Sequence, residues 1–237
     1  MDKLKFLNRG HLKIIAFIIM MIDHFGCVFL QNDTDLYYVF RIIIGRISFP
    51  MFCVLFIEGF CYTKREKRLR HIIDLITFGL VSEIPFDYVL LKSGIVYKGA
   101  QNVMWTWLLC FLMLCLFSYI QDFDVFNNSV KLALSITLIV VFAFVSDLFK
   151  TDYGLAAPFC IGVGYLWYKY SGLHELWQVA IVVSLILFTF YGVWTYVLAV
   201  IPFLFYNHTV GCKCKYLYYL GYPVHICLFG LLYKCFL

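Results

Sequence analysis

Charge is scarce in this chain. Only 14% of its 237 residues are Asp, Glu, Lys or Arg, while 63% are hydrophobic and 20% aromatic. Soluble domains carry about 25% charged and about 45–50% apolar residues, so too few polar groups exist here to cover a water-facing body. A mean hydropathy of +0.87 points the same way. Other absences narrow the class. The first apolar run has a basic start (Lys3, Lys5, Arg9, Lys13) but no small-residue cleavage site, so it is expected to be a transmembrane helix and not a removable leader. Strict period-two alternation is missing, which argues against a β-barrel. No internal repeat or flexible linker divides the sequence, and residues 1–237 are expected to form a single transmembrane domain. The ten cysteines follow neither a disulfide framework nor a zinc pattern. The "CKC" at 212–214 has the softness to suit a thiophilic metal, but two thiols in a basic loop are ordinarily just thiols; no metal is expected. The net charge of +5 resides in short loops between apolar runs, a topology signal and not a nucleic-acid footprint.

What is present is a succession of apolar runs. A crossing helix needs about 20 mostly apolar residues. That rule places spans near 12–30, 36–62, 70–91, 102–120, 130–149, 153–169, 174–190, 193–206 and 216–236. The expected fold is therefore all-α: a polytopic integral membrane helical bundle of about nine transmembrane helices. The "YGVW" at 191–194 is either a hairpin tip or a kink in one longer helix. The densest basic cluster, "KREKRLRH" (64–71), is assigned to the cytoplasm, which puts the N-terminus there too. The loop "QNDTD" (31–35), with no Lys or Arg, then faces outward. Lys169 and "KCK" (213–215) fall inside, Lys92, Lys98 and Lys150 outside, and an odd span count places the C-terminus outside. The expected location is the inner (cytoplasmic) membrane, crossed several times.

Against this background several ionisable residues are out of place: Asp23, His24, Arg41, Arg46, Glu58, Asp74, Glu83, Asp87 and His225. Each costs on the order of 2.5–3.5 kcal/mol at mid-helix, so each is a candidate for function. His24 lies about 16 Å beyond Lys13, and Arg46 about 15 Å in from the outer start of the second span, at similar depth. Glu83 and Asp87 are four apart on one face, with Pro85 between them marking a bend. Asn102, Asp152 and Tyr153 sit at outer helix ends. Asp23 and His24 are adjacent and about 100° apart around a helix, so each must find its partner on another span. For His24 that partner is expected to be Arg46, Glu83 or Asp87. In "GRISFP" (45–50), Pro50 is expected to free a carbonyl near Arg46, as in the broken helices that line polar cavities. Structural ion pairing is the plain alternative. Glu58 and Asp74 need do no more than reach for water or pair with Arg65 or Arg68, and the tyrosines of "YLYYLGYP" read as an interfacial belt.

The collinear series "LKIIAFIIMMIDHFG", "RIIIGRISFPMFCVLFIEGFCYT", "RHIIDLITFGLVSEIPFD", "QNVMWT", "TDYG", "IPFLFYN" and "YPVHI" resembles the TraX family from residue 12 to about 226. The named member of that family is implicated in acetylating the N-terminus of a pilin subunit. A histidine on an early span followed by "FPMF" is also distantly similar to transmembrane acyltransferases. After "LFYN" the family typically has a glycine and a basic residue, whereas this chain reads "HTVGCKC".

The resemblance implies a membrane acetyltransferase using acetyl-CoA. Its acceptor would be the amine or hydroxyl of a peptide, a pilin-like N-terminus or a surface glycan. On that reading Lys64, Arg65 and Arg68, or "KCK", supply cations for the phosphates of CoA. His24 takes the acceptor proton. Arg46, Asn102 or a broken-helix amide stabilises the oxyanion. Asp23, Glu83 and Asp87 orient the histidine, bind an ammonium group or balance the arginines. Arg41, Asp152, Tyr153, Glu58 and His225 complete the candidate binding set. The competing readings are a proton-coupled transporter and a non-catalytic assembly factor for a surface structure.

Overall fold

A computed structural model describes residues 5–93, 99–171, 175–211 and 215–236, and they are overwhelmingly helical. Among them β pairing is limited to two single bridges, Leu7 with Tyr206 and Gln101 with Thr151. The first helix, α1 (Arg9–Phe29), starts at Asn8, whose side chain accepts from the His11 amide. Such a cap supplies one of the acceptors that the first turn of a helix lacks. A continuous helical stretch follows from Thr34 to Cys61, but it is regular only at its ends, α2 (Thr34–Tyr38) and α3 (Ser48–Cys61). Between them the backbone widens to a π-helix over Val39–Ile44 and tightens to a 3₁₀ turn over Gly45–Ile47.

That break is where the sequence led us to expect one, though its cause is displaced. Pro50 lies in the first turn of α3, where a missing N–H costs nothing. The irregular backbone lies upstream of it, and Thr195 donates its hydroxyl to the Ile42 carbonyl at 2.7 Å. Irregular backbone persists at depth in a membrane only when buried partners satisfy it in this way.

The chain continues through α4 (Arg68–Pro85), running into a π-turn at Phe86–Leu90, then α5 (Val103–Gln121), α6 (Asn128–Leu148), α7 (Ala156–Tyr170) and α8 (Leu176–Tyr191). Gly192 ends α8 at φ +68°, a left-handed conformation that suits glycine. The following 3₁₀ turn (Trp194–Ala199) and α9 (Val200–Leu204) fold back along α8. "YGVW" is thus a hairpin tip. The last element is α10 (Lys215–Phe236). The stretches Arg9–Phe29, Thr34–Cys61, Val103–Gln121 and Asn128–Leu148 are long and apolar enough to cross a membrane; Leu176–Tyr191 and Trp194–Leu204 are apolar but shorter.

Polar contacts gather at two ends of the bundle. At the end holding residue 5, Leu7 pairs with the backbone at Phe205 and Asn207. There Arg9 donates to Glu58 at 2.6 Å, and the Tyr206 hydroxyl donates to the same carboxylate at 2.7 Å. Glu58 thus joins the start of α1, the end of α3 and the segment after α9. Lys5 pairs with Glu175, and Arg65 with Asp122, at this same end. We call it the basic end. At the far end Gln101 pairs with the backbone of Lys150 and Asp152, holding the "TDYG" turn beside the start of α5.

Candidate active site

An elongated cavity of about 280 Å³ lies between α1, α3, α4, α5 and α10. Helical spacing explains its walls. Lys13, Phe17, Met20 and His24 are four, three and four residues apart, one stripe along α1. Phe52, Phe56 and Gly59 form the facing stripe of α3, and Tyr218 and Tyr222 that of α10. Lys13 and His24 are separated by about 16 Å along the helix, so the cavity joins the basic end to the interior of the bundle.

Asp23, His24, Gly45, Asp152 and Tyr153 line its deep end. Gly45 is there because nothing larger fits: a Cβ at this position would lie 2.6 Å from the Cβ of Asp23. One Asp23 oxygen pairs with Arg41 at 3.4 Å, and the other has no partner among the described residues. His24 Nδ1 is 2.6 Å from His225 Nε2 on α10. His225 in turn places Nδ1 2.6 Å from the Gly221 carbonyl and is only 4% exposed. The pair sits among aromatic rings: Phe17 and Phe229 meet His225 edge-on, and Tyr222 meets both imidazoles.

The "TDYG" turn supplies the opposite wall. Tyr153 has φ +62°, the left-handed region that a tyrosine seldom occupies. Such strain costs on the order of 1–3 kcal/mol and needs over-determining contacts. It has them: its ring stacks on Phe49 with centroids 3.5 Å apart, and its carbonyl accepts from Tyr191. Its amide donates to the Asp152 carboxylate at 3.0 Å. Arg46 does not line the cavity, but its positive charge lies close to Tyr153 and Asp23.

The structure therefore brings together Asp23, His24, Arg41, Arg46, Asp152, Tyr153 and His225. It sends the remaining candidates elsewhere. His24 meets His225, not the expected Arg46, Glu83 or Asp87. Glu83 accepts from the Trp105 indole and from Asn102, while Asn102 also donates to the Gly79 carbonyl at 2.9 Å and caps α5 through the Met104 amide. These residues clasp α4 to α5 outside the cavity lining. Asp87 is fully buried in the π-turn, which packs on α10 and does not line the cavity. That turn changes the register after Pro85, so a four-residue spacing no longer gives one shared face. Glu58 is buried and pairs with Arg9, not with Arg65 or Arg68. Lys64 and Arg65 are exposed, and Arg65 pairs with Asp122. Arg68 lies 4.6 Å over the ring of Phe60, a cavity residue, so it alone of the three approaches the basic end of the cavity. The "CKC" at 212–214 and most of "KCK" lie outside the described residues.

Asn102 is on these contacts a structural residue. Asn102→Ala is expected to cost about 2 kcal/mol of stability through the lost cap and the lost bonds to Gly79 and Glu83. Thermal unfolding in detergent should show this, while any activity per folded molecule stays within a few-fold of the original.

The sequence pattern alone did not mark Lys13, Tyr218 and Tyr222 as cavity residues. A signal for them existed: 218, 222 and 225 fall on one helical face, and 13 on the face of His24. Reading the tyrosines as a lipid-facing belt masked it.

A helical membrane protein with an interior cavity, a hydrogen-bonded histidine pair and cavity-facing carboxylates is the class defined so far. The chain belongs to the TraX protein family, whose model matches residues 8–233. It is also similar to the probable fimbrial assembly protein FimC, serogroup H1, of Dichelobacter nodosus, at 25% identity over 238 residues covering 92% of each chain. No solved structure matches it.

Proposed function

We propose that the chain is a multi-pass acetyltransferase of the cytoplasmic membrane. It would take acetyl from cytosolic acetyl-CoA and give it to an amine or hydroxyl of a membrane-associated or exported acceptor. A pilin-like peptide is favoured over an envelope glycan, because the matched Dichelobacter protein carries a fimbrial-assembly name. On this reading the nine passes form a single membrane domain with the N-terminus in the cytoplasm.

The observation that carries the proposal is the cavity, lined largely by aromatic side chains and leading from Lys13 at the basic end to His24 inside the bundle. Its shape suits a long donor with an anionic head and a thin thioester arm. Lys13, lying 5.6 Å from the Tyr218 ring centroid, and Arg68 over Phe60 would meet the phosphates. His24 would accept the proton of the acceptor as its nitrogen or oxygen bonds to the acetyl carbon. The carbon–sulfur bond then breaks and the CoA sulfur leaves, taking up a proton. Tyr153 lines the cavity with the Arg46 charge nearby, and its O–H would donate to the developing oxyanion. Asp23 and Asp152, both facing the cavity, would receive the acceptor.

Lys13→Glu tests the donor end. It places a carboxylate where the phosphates enter, and the KM for acetyl-CoA should rise about tenfold or more, equivalent to at least ~1.4 kcal/mol, with kcat little changed. An unchanged KM would remove Lys13 from the donor site. Substrate-dependent proton flux in vesicles, with neither acetyl-CoA binding nor transfer, would favour a transporter instead.

A further inference from the structure

The two imidazoles are edge to edge. Their planes differ by 9° and their centroids lie 4.9 Å apart, with 2.6 Å between the facing nitrogens. That is an in-plane N–H···N hydrogen bond and not a face-to-face stack, which would bring no pair of nitrogens into line. One proton lies between Nδ1 of His24 and Nε2 of His225, and the neighbouring carbonyl decides which ring owns it. The Gly221 carbonyl can only accept, so Nδ1 of His225 must carry a hydrogen and donate. A neutral His225 then has its lone pair on Nε2, and His24 must hold its own proton on Nδ1. The remaining nitrogen of His24, Nε2, is left bare.

His225 is buried, and among the described residues no carboxylate is hydrogen-bonded to either ring, so an imidazolium at His225 would be buried without a hydrogen-bonded counter-ion. Both rings are therefore neutral at rest. His24 faces the cavity and His225 does not. The ring edge of His24 held by His225 is Nδ1, which leaves Nε2 for whatever occupies the cavity. Were His225 doubly protonated, the chain of donors would reverse and Nε2 of His24 would bear a hydrogen, useless as a base.

We infer that His225 is a positioning residue, which, through the Gly221 carbonyl, fixes His24 in the tautomer whose Nε2 is the proton acceptor. Its contribution continues after the proton arrives. The His24 imidazolium formed then donates from Nδ1 to the His225 lone pair, and a hydrogen bond from a charged donor is the stronger kind. The role in catalysis rests on the acyl-transfer reading above. The tautomer itself does not.

The experiment is nitrogen NMR of ¹⁵N-histidine-labelled protein in nanodiscs, with the two resonance pairs assigned through His24→Gln and His225→Gln. Both rings should be neutral, with the hydrogen on Nδ1. In His225→Phe, which fills the same space without an acceptor, His24 should lose its single tautomer, and kcat should fall on the order of 100-fold with the KM for acetyl-CoA little changed. In His225→Gln the amide oxygen can accept from Nδ1 of His24, and much of the activity should return. A hydrogen on Nε2 of His24 in the unaltered protein, or a tautomer indifferent to His225→Phe, would overturn the inference. The stated tautomers in a protein that transfers no acetyl group would overturn the acyl-transfer reading and leave the histidine pair standing.

Discussion

Replacing His24 by alanine is expected to abolish acetyl transfer, with a loss on the order of 10²–10⁴ in kcat, while the bundle stays folded. The magnitude is that of a positioned general base. Folding should survive because His24 lies on a cavity wall and, among the described residues, its side chain hydrogen-bonds to His225, away from the core of α3, α5 and α7. The change does leave the Nε2 lone pair of His225 without its donor, so a loss of stability of about 1–3 kcal/mol accompanies it. Single-turnover kinetics alongside thermal unfolding separates the two effects. Transfer at the original rate would assign the proton to another group.

The second large effect is expected for Tyr153→Phe. This substitution keeps the ring on Phe49 and the backbone bonds to Asp152 and Tyr191, and it removes only the hydroxyl. If that hydroxyl donates to the developing oxyanion, its loss should cost about 10²–10³ in kcat, as for other oxyanion donors. The KM for the donor should change little, because the contact strengthens in the transition state and not in the ground state. Tyr153 also occupies a conformation that L side chains avoid. Strain retained at a cavity wall is consistent with a side chain held for chemistry, and the phenylalanine variant preserves it. An unaltered kcat would return Tyr153 to a purely architectural role.

Much of the helical architecture was legible in the sequence because hydrophobic runs report local facts. The nine apolar segments correspond in position to the helices, and the disturbance around "GRISFP" appears as a π-turn followed by a 3₁₀ turn. The adjacency of Asp23 and His24 also sufficed to predict separate partners, and they have them in Arg41 and His225. The identity of the second partner was not legible. His24 and His225 are 201 positions apart, and no periodicity says that α10 packs against α1. The same ignorance of neighbours misplaced Glu83 and Asn102, whose rarity in a membrane signalled importance without saying that it lay in holding α4 to α5. Aromatic stripes were ambiguous for another reason. A tyrosine facing a cavity and one facing headgroups are alike in composition and differ only in which side of the helix is covered.

The central claim is that acetyl moves through this cavity from a CoA thioester to an acceptor by way of His24. The direct measurement is transfer of radiolabel from acetyl-CoA to pilin-like peptides with free amino termini, by purified protein in nanodiscs and by its His24→Ala variant. The account predicts labelled peptide with the unaltered protein and none above background with the variant. Equal labelling by both, or none by either under conditions where the protein is folded, would contradict it.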